Sequence, residues 1–340
     1  MGIVILLFSG CGAFKMGEFK ISGRVTEADG GKGIRGVRIN YKINNYSPSY
    51  TSTPTYNDSG EWSIWADEGD KVTIWAEKDH YMFQPAPLQP FTVSGSRNDV
   101  NFQVIGWSDN FSNSSSGWDI KEYDDGSHQK YVPVDEVTKY EIKVVNYKDQ
   151  SSFISTLSPL SVPSDYTVEA TMYEDNEAEG GTCGLVFNVK NFASVGELYN
   201  IFRIRPDEGK AEFLEVEITS GGTVIRDLKT KTNADIDHSN TTITSSANIL
   251  KVVQNYNYAY LYVNGVEVWP MPIKVQDSDF LRVGLFASAD PKSIYNSTIY
   301  HVYFDDFKLS AMGFAPRMQM MSMGINSLDS NSLKGMETIE

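Results

Sequence analysis

Short segments in which apolar and polar residues alternate recur along most of the chain, with turn-forming residues between them. That period of two is the signature of half-buried strands. Near the start, Phe19 and Ile21 alternate with polar neighbours, and Val37, Ile39 and Tyr41 repeat the pattern after the turn Asp29-Gly30-Gly31-Lys32-Gly33. Further strand signals lie at 55–64, 69–76, 81–85 and 100–104. Close spacing with turns between predicts a small β-sandwich over 18–104. After a short connection at 105–108 and an Asn/Ser/Gly loop at 112–117, strands are predicted at 139–147, 151–157, 166–174, 183–189, 198–205, 213–218 and 223–228. Others follow at 281–288 and 300–309. With no convincing amphipathic helix over 109–310, this span reads as one larger sandwich.

The densest pattern lies between Asn248 and Trp269. Strands are predicted at 249–254, 258–263 and 266–269. Asn255-Tyr256-Asn257 makes the first turn, because Asn tolerates left-handed angles, and Asn264-Gly265 is a two-residue hairpin signal. On the middle strand Ala259, Leu261 and Val263 share the core face, leaving Tyr258, Tyr260 and Tyr262 on the other.

Composition narrows the function classes. The formal net charge of −15 argues against nucleic acid, which needs clustered Lys and Arg. The apolar run 2–10 ends in Phe8-Ser9-Gly10-Cys11, the form of a lipoprotein signal in which Cys11 is lipidated and becomes the mature N-terminus; no basic residue precedes the run. The expectation is a membrane-anchored lipoprotein on the periplasmic or extracellular face. The second cysteine, Cys183, sits in an apolar strand pattern and reads as a buried, inert thiol. From 311 to 340 the chain is rich in Met, Ser and Asn without alternation, and is expected to be a disordered tail.

Two resemblances follow from these motifs. ISGRVT at 21–26, GIRGVRI at 33–39, NDSGEWSI at 57–64 and the closing FQP…FTVSG…VNF at 83–102 resemble the carboxypeptidase-regulatory-like (Cna-B or transthyretin-like) domains. That implies a seven-strand-type sandwich serving as spacer. DNFS…GW at 109–118, GLVF at 184–187, YNIFRI at 199–204, NILKVV at 248–253, LYVNG at 261–265, VGLFA at 283–287 and YFDDFKL at 303–309 resemble concanavalin-A-like, laminin-G-like jelly rolls, near the 3-keto-disaccharide hydrolase-like domains. The expected fold class is therefore all-β, a small sandwich followed by a larger concanavalin-A-like jelly roll.

The candidate chemistry is sparse. Glycosidase work needs two carboxylates across a cleft. Glu215 and Glu217 share a strand face, yet they read as a solvated edge. His80, His128, His238 and His301 show no metal-ligand spacing. Asp109 and Asn110 open the second span while Asp305 and Asp306 lie on its closing strand, so hard oxygens converge if those strands are neighbours, with Ca2+ the suited ion. Adjacent strand residues point to opposite faces, so one of Asp305 and Asp306 is the ligand, not both. Tyr258, Tyr260 and Trp269, with Asn257, form the candidate platform for a polysaccharide or glycan, since tyrosine suits a half-wet surface. The expected function is a lipid-anchored surface protein with a non-catalytic carbohydrate-binding head on a spacer. A glycoside-processing hydrolase of the same fold and a protein-binding adhesion or structural protein are the competing readings.

Overall fold

The computed structural model describes residues 19–27, 31–44, 51–134, 136–146, 152–175, 180–190, 195–236, 242–244, 246–276, 281–290 and 298–311. Cys11, the signal-like run and the Met-rich stretch from 312 onward lie outside them.

The chain is all-β, as expected, with one short helix among the described residues. The first eight strands are β1 (Phe19–Thr26), β2 (Arg38–Ile43), β3 (Thr51–Pro54), β4 (Glu61–Ala66), β5 (Lys71–Glu77), β6 (Tyr81–Gln84), β7 (Phe91–Thr92) and β8 (Phe102–Asp109). They make two four-stranded layers, β4-β1-β8-β6 and β3-β2-β5-β7. Alternation places Ile21, Val25, Ile39, Ile64, Val72, Ile74 and Phe102 between the layers, all buried.

The remaining strands build the second sandwich. They are β9 (Lys121–Glu122), β10 (His128–Val134), β11 (Val137–Asn146), β12 (Ser152–Val162), β13 (Tyr166–Glu174), β14 (Gly181–Val189), β15 (Leu198–Arg205), β16 (Lys210–Thr219) and β17 (Gly222–Thr232). After α1 (Asn233–Ile236) come β18 (Ala247–Asn255), β19 (Tyr258–Val263), β20 (Val266–Glu267), β21 (Ile273–Lys274), β22 (Leu281–Ala289) and β23 (Thr298–Ala311). One sheet runs β20-β19-β18-β13-β23-β11-β10-β9; the facing sheet runs β12-β22-β14-β15-β16-β17. Between them lie Tyr140, Val168, Leu185, Phe187, Phe202, Leu250, Leu261, Leu285 and Phe304.

The stretch expected to be a connection at 105–108 is instead the second half of β8. Its first residues pair with β1 in parallel, its middle with β6, and its end with β23. One strand thus belongs to both sandwiches. Trp107 is fully buried, its ring 5.6 Å from that of Trp118 and 5.5 Å from that of Phe307. Gly106 permits the approach, because a Cβ there would stand 2.7 Å from the Leu309 carbonyl oxygen.

The hairpin β18–β19 forms in the expected register, with Val252 opposite Leu261 and Leu250 opposite Val263. Asn264 and Gly265 both take positive φ, 50° and 82°, the requirement of a type I′ turn. The first turn differs from expectation: the left-handed residue is Tyr256, at φ 51°, and its N–H donates to Asp165 Oδ1 at 2.6 Å.

Candidate functional site

The outer face of the larger sheet carries the tyrosine row. Tyr258 is 44% exposed, and Tyr260 and Tyr262 are half-buried. Register extends this row into a polar stripe. Tyr262 lies opposite Lys251, Lys251 opposite Glu169, Glu169 opposite Lys308 and Lys308 opposite Ser108. A parallel line runs from Tyr260 through Val253 and Thr167 to Ser310. The only ion pair along the stripe among the described residues is Lys308 with Glu169, at 4.0 Å. Burial, followed by the charge of Glu267, raises the Tyr262 pKa.

Other tyrosines on this face have protein partners. Tyr173 lies under the Lys139 ammonium, 3.6 Å from its ring centre, and Tyr303 donates to Asp175 Oδ2 at 3.1 Å. Among the described residues, Tyr258, Tyr260 and Tyr262 have neither a side-chain hydrogen bond nor a ring partner. Trp269 does not join them. It is packed against the main core, its ring 6.3 Å from Phe202 and edge-on to it. Asn257 lies in the turn beside Tyr258, and its carbonyl accepts the Val275 N–H at 2.8 Å.

The two ends of the second sandwich meet as expected, at a notch of about 310 Å³ lined by His80, Ser108, Asp109, Asn110, Asp306, Phe307 and Lys308. β23 changes neighbours here. Its first half pairs with β11 and its second half with β8. A bulge takes up the change, with Asp306 at φ 48°. Asp306 thereby reaches the notch, whereas Asp305 lies on the strand face opposite Thr171 and accepts the Asp306 N–H at 2.9 Å. Asp109 is buried. Its Oδ1 accepts the Phe111 N–H at 2.8 Å, and its Oδ2 has no hydrogen-bond partner among the described residues. An orphaned buried carboxylate oxygen beside Asn110 and Asp306 fits the hard-oxygen chemistry of a calcium ligand set. Among the described residues no group of three His, Cys, Asp or Glu side chains is placed to hold a metal, so backbone and amide oxygens would have to complete it.

No family model matches this chain, and no curated protein does. Its likeness is to solved structures. A Bacillus subtilis protein of unknown function with a galectin-like fold is 10% identical, with TM-score 0.40 over 60% of this chain and 94% of that one. The carbohydrate-binding module CBM66 from Bacillus subtilis is 16% identical, with TM-score 0.36 over 58% of this chain and 96% of that one. A Bacteroides ovatus GH16 protein in complex with a glucan product is 10% identical, with TM-score 0.42 over 60% of this chain and 99% of that one. Likeness at this level assigns the chain neither a family nor a ligand.

Two carboxylates of β16 are engaged by arginines. Glu217 pairs with Arg226, and Glu212 accepts Arg203 Nε at 2.7 Å with Arg205 Nε 3.6 Å away. Arg205 also pairs with Asp290 at 2.5 Å. The arrangement missed by sequence reasoning is on the larger sheet. Glu141 is buried between two histidines, taking His128 Nε2 at 2.6 Å and His301 Nδ1 at 2.9 Å. Burial pushes the Glu141 pKa up, but the two hydrogen bonds and imidazole charges outweigh it and hold the group at about 2. Cys183 is the buried free thiol expected, pushed up to about 12 by burial.

Proposed function

We propose that this chain is a non-catalytic carbohydrate-binding surface protein, tethered through Cys11 and presenting the second sandwich as its binding head. The observation that carries this reading is the outward row of Tyr258, Tyr260 and Tyr262, which among the described residues has no side-chain hydrogen bond or ring partner, beside tyrosines that do. An aromatic ring on an exposed sheet stacks against the C–H face of a sugar, and the Lys251–Glu169–Lys308 stripe offers hydrogen bonds to its hydroxyls. Alternate residues stand about 6.8 Å apart along a strand, so the row suits an extended chain rather than one terminal sugar.

The test is affinity electrophoresis of the purified chain in gels cast with a panel of soluble polysaccharides. Retardation by at least one glycan is expected, weakened in Tyr258→Ala and Tyr260→Ala and released in the double variant, without release of reducing ends. No retardation across the panel, or retardation unchanged in the double variant, removes the tyrosine row as a glycan site.

A further inference from the structure

The smaller sheet ends on β17, an eleven-residue strand paired on one side only among the described residues. An edge of this length presents a line of free N–H and C=O groups, which proteins normally blunt. This one carries three exposed apolar residues among its charges. Val224 is 42% exposed, Ile225 53% and Leu228 51%. Leu228 also terminates an unbroken line of apolar and glycine positions across all six strands of the outer face: Leu157, Gly284, Val186, Ile201, Leu214, Leu228.

We propose that β17 pairs antiparallel with β17 of a second copy of this chain, joining six strands from each into one continuous sheet. The argument for a second copy is self-complementarity. With the two-fold axis between Arg226 and Asp227, Arg226 faces Asp227 of the second copy and Ile225 faces Leu228 of the second copy, each contact occurring twice. A two-fold axis perpendicular to a sheet preserves its faces, so Ile225 and Leu228 must lie on one face of the strand. Three residues apart in a regular strand, they would not. The bulge makes them do so. Glu215 lies opposite Asp227 and Val216 opposite Ile225, leaving Arg226 unpaired between them, and both apolar residues turn to the outer face. Within the chain Arg226 meets Glu217, and Asp227 takes Lys229 at 2.5 Å. Asp227 and Lys229 are about half exposed, so exchanging that pair costs little; Glu217 is only 19% exposed, so Arg226 has to keep Glu217 while meeting Asp227 of the second copy. The proposal is independent of any glycan.

Sedimentation velocity of the purified full-length chain over a wide concentration range tests it. A monomer–dimer equilibrium is expected. Arg226→Asp places two carboxylates against each other twice and should weaken the dimer about tenfold or more, as should Asp227→Arg; the variant carrying both restores the pairing and the dimer. Leu228→Lys should give a monomer with an unchanged circular dichroism spectrum and melting point. A chain that stays monomeric at every concentration overturns the proposal. So does a dimer that ignores the single charge reversals, or one that the combined reversal fails to restore.

Discussion

Replacing Glu141 by glutamine tests the electrostatics of the larger sheet directly. Its folded pKa is about 2 against an ordinary 4.5, because His128 and His301 each donate to one of its oxygens. At about 1.4 kcal/mol per pKa unit, a drop from 4.5 to about 2 has a ceiling near 3.5 kcal/mol; solvent screening through the partly exposed histidines brings it to roughly 1.5–2 kcal/mol. The sign follows from proton counting. The folded carboxylate resists protonation more than the unfolded one, so its contribution is complete above about pH 4.5 and disappears as pH falls towards 2. The glutamine variant keeps one acceptor, loses the charge, and faces one histidine with an N–H group. Its melting temperature at neutral pH should drop by roughly 3–8 °C. Below pH 3 the difference from the parent should shrink. Differential scanning calorimetry of both proteins across the acid range measures it. A constant gap across the whole range would show that packing, not charge, is the cause, and no gap at all would show the clamp to be worthless.

Glu174 carries the opposite sign. Burial raises its pKa to about 7, so stability should fall as pH rises from about 4.5 to 7. Chemical denaturation of Glu174→Gln should lack that slope; a slope equal to the parent's refutes the assignment. On β19, Leu261→Ala should cost about 2–5 kcal/mol, because Leu261 is 2% exposed, while Tyr258→Ala should stay within about 0.5 kcal/mol; comparable losses in urea titrations would place the tyrosine in a packing role. If Asp109 and Asp306 hold Ca2+, adding calcium at a hundredfold excess over its Kd should stabilise the chain by about 2.7 kcal/mol and Asp109→Asn should abolish the gain. Thermal shift with calcium, then with chelator, reads this out, and a melting point indifferent to both removes the cation.

The parts of the fold legible in the sequence are those governed by local period and turn chemistry. The β18–β19 pairing, the Asn264-Gly265 turn and the inward set Ala259, Leu261 and Val263 all follow from alternation. β8 did not read as a strand beyond residue 104, because its burial pattern breaks where its pairing with β6 shifts, leaving Gly106 and Trp107 both buried. The Glu141 clamp was invisible for another reason. Only the β10–β11–β23 register brings His128 and His301 to one carboxylate, and that register is long-range.

Bulges explain the remaining failures of sequence reading, and they matter most at the surfaces with functional potential. Alternation assigns each residue a face only while the ladder is regular; one inserted residue reverses every assignment beyond it. At Asp306 the bulge turns one aspartate towards Asp109 and leaves Asp305 opposite Thr171, which settles which of two adjacent carboxylates reaches the notch. At Arg226 it brings Ile225 and Leu228 to a common face, which a period of two would have separated. Both bulges stand where a strand changes or lacks a partner: β23 passes from β11 to β8, and β17 has its outer edge unpaired among the described residues. At these two places the residues that depart from the two-residue period stand at a junction and at an edge, where an ion or a second molecule can be received.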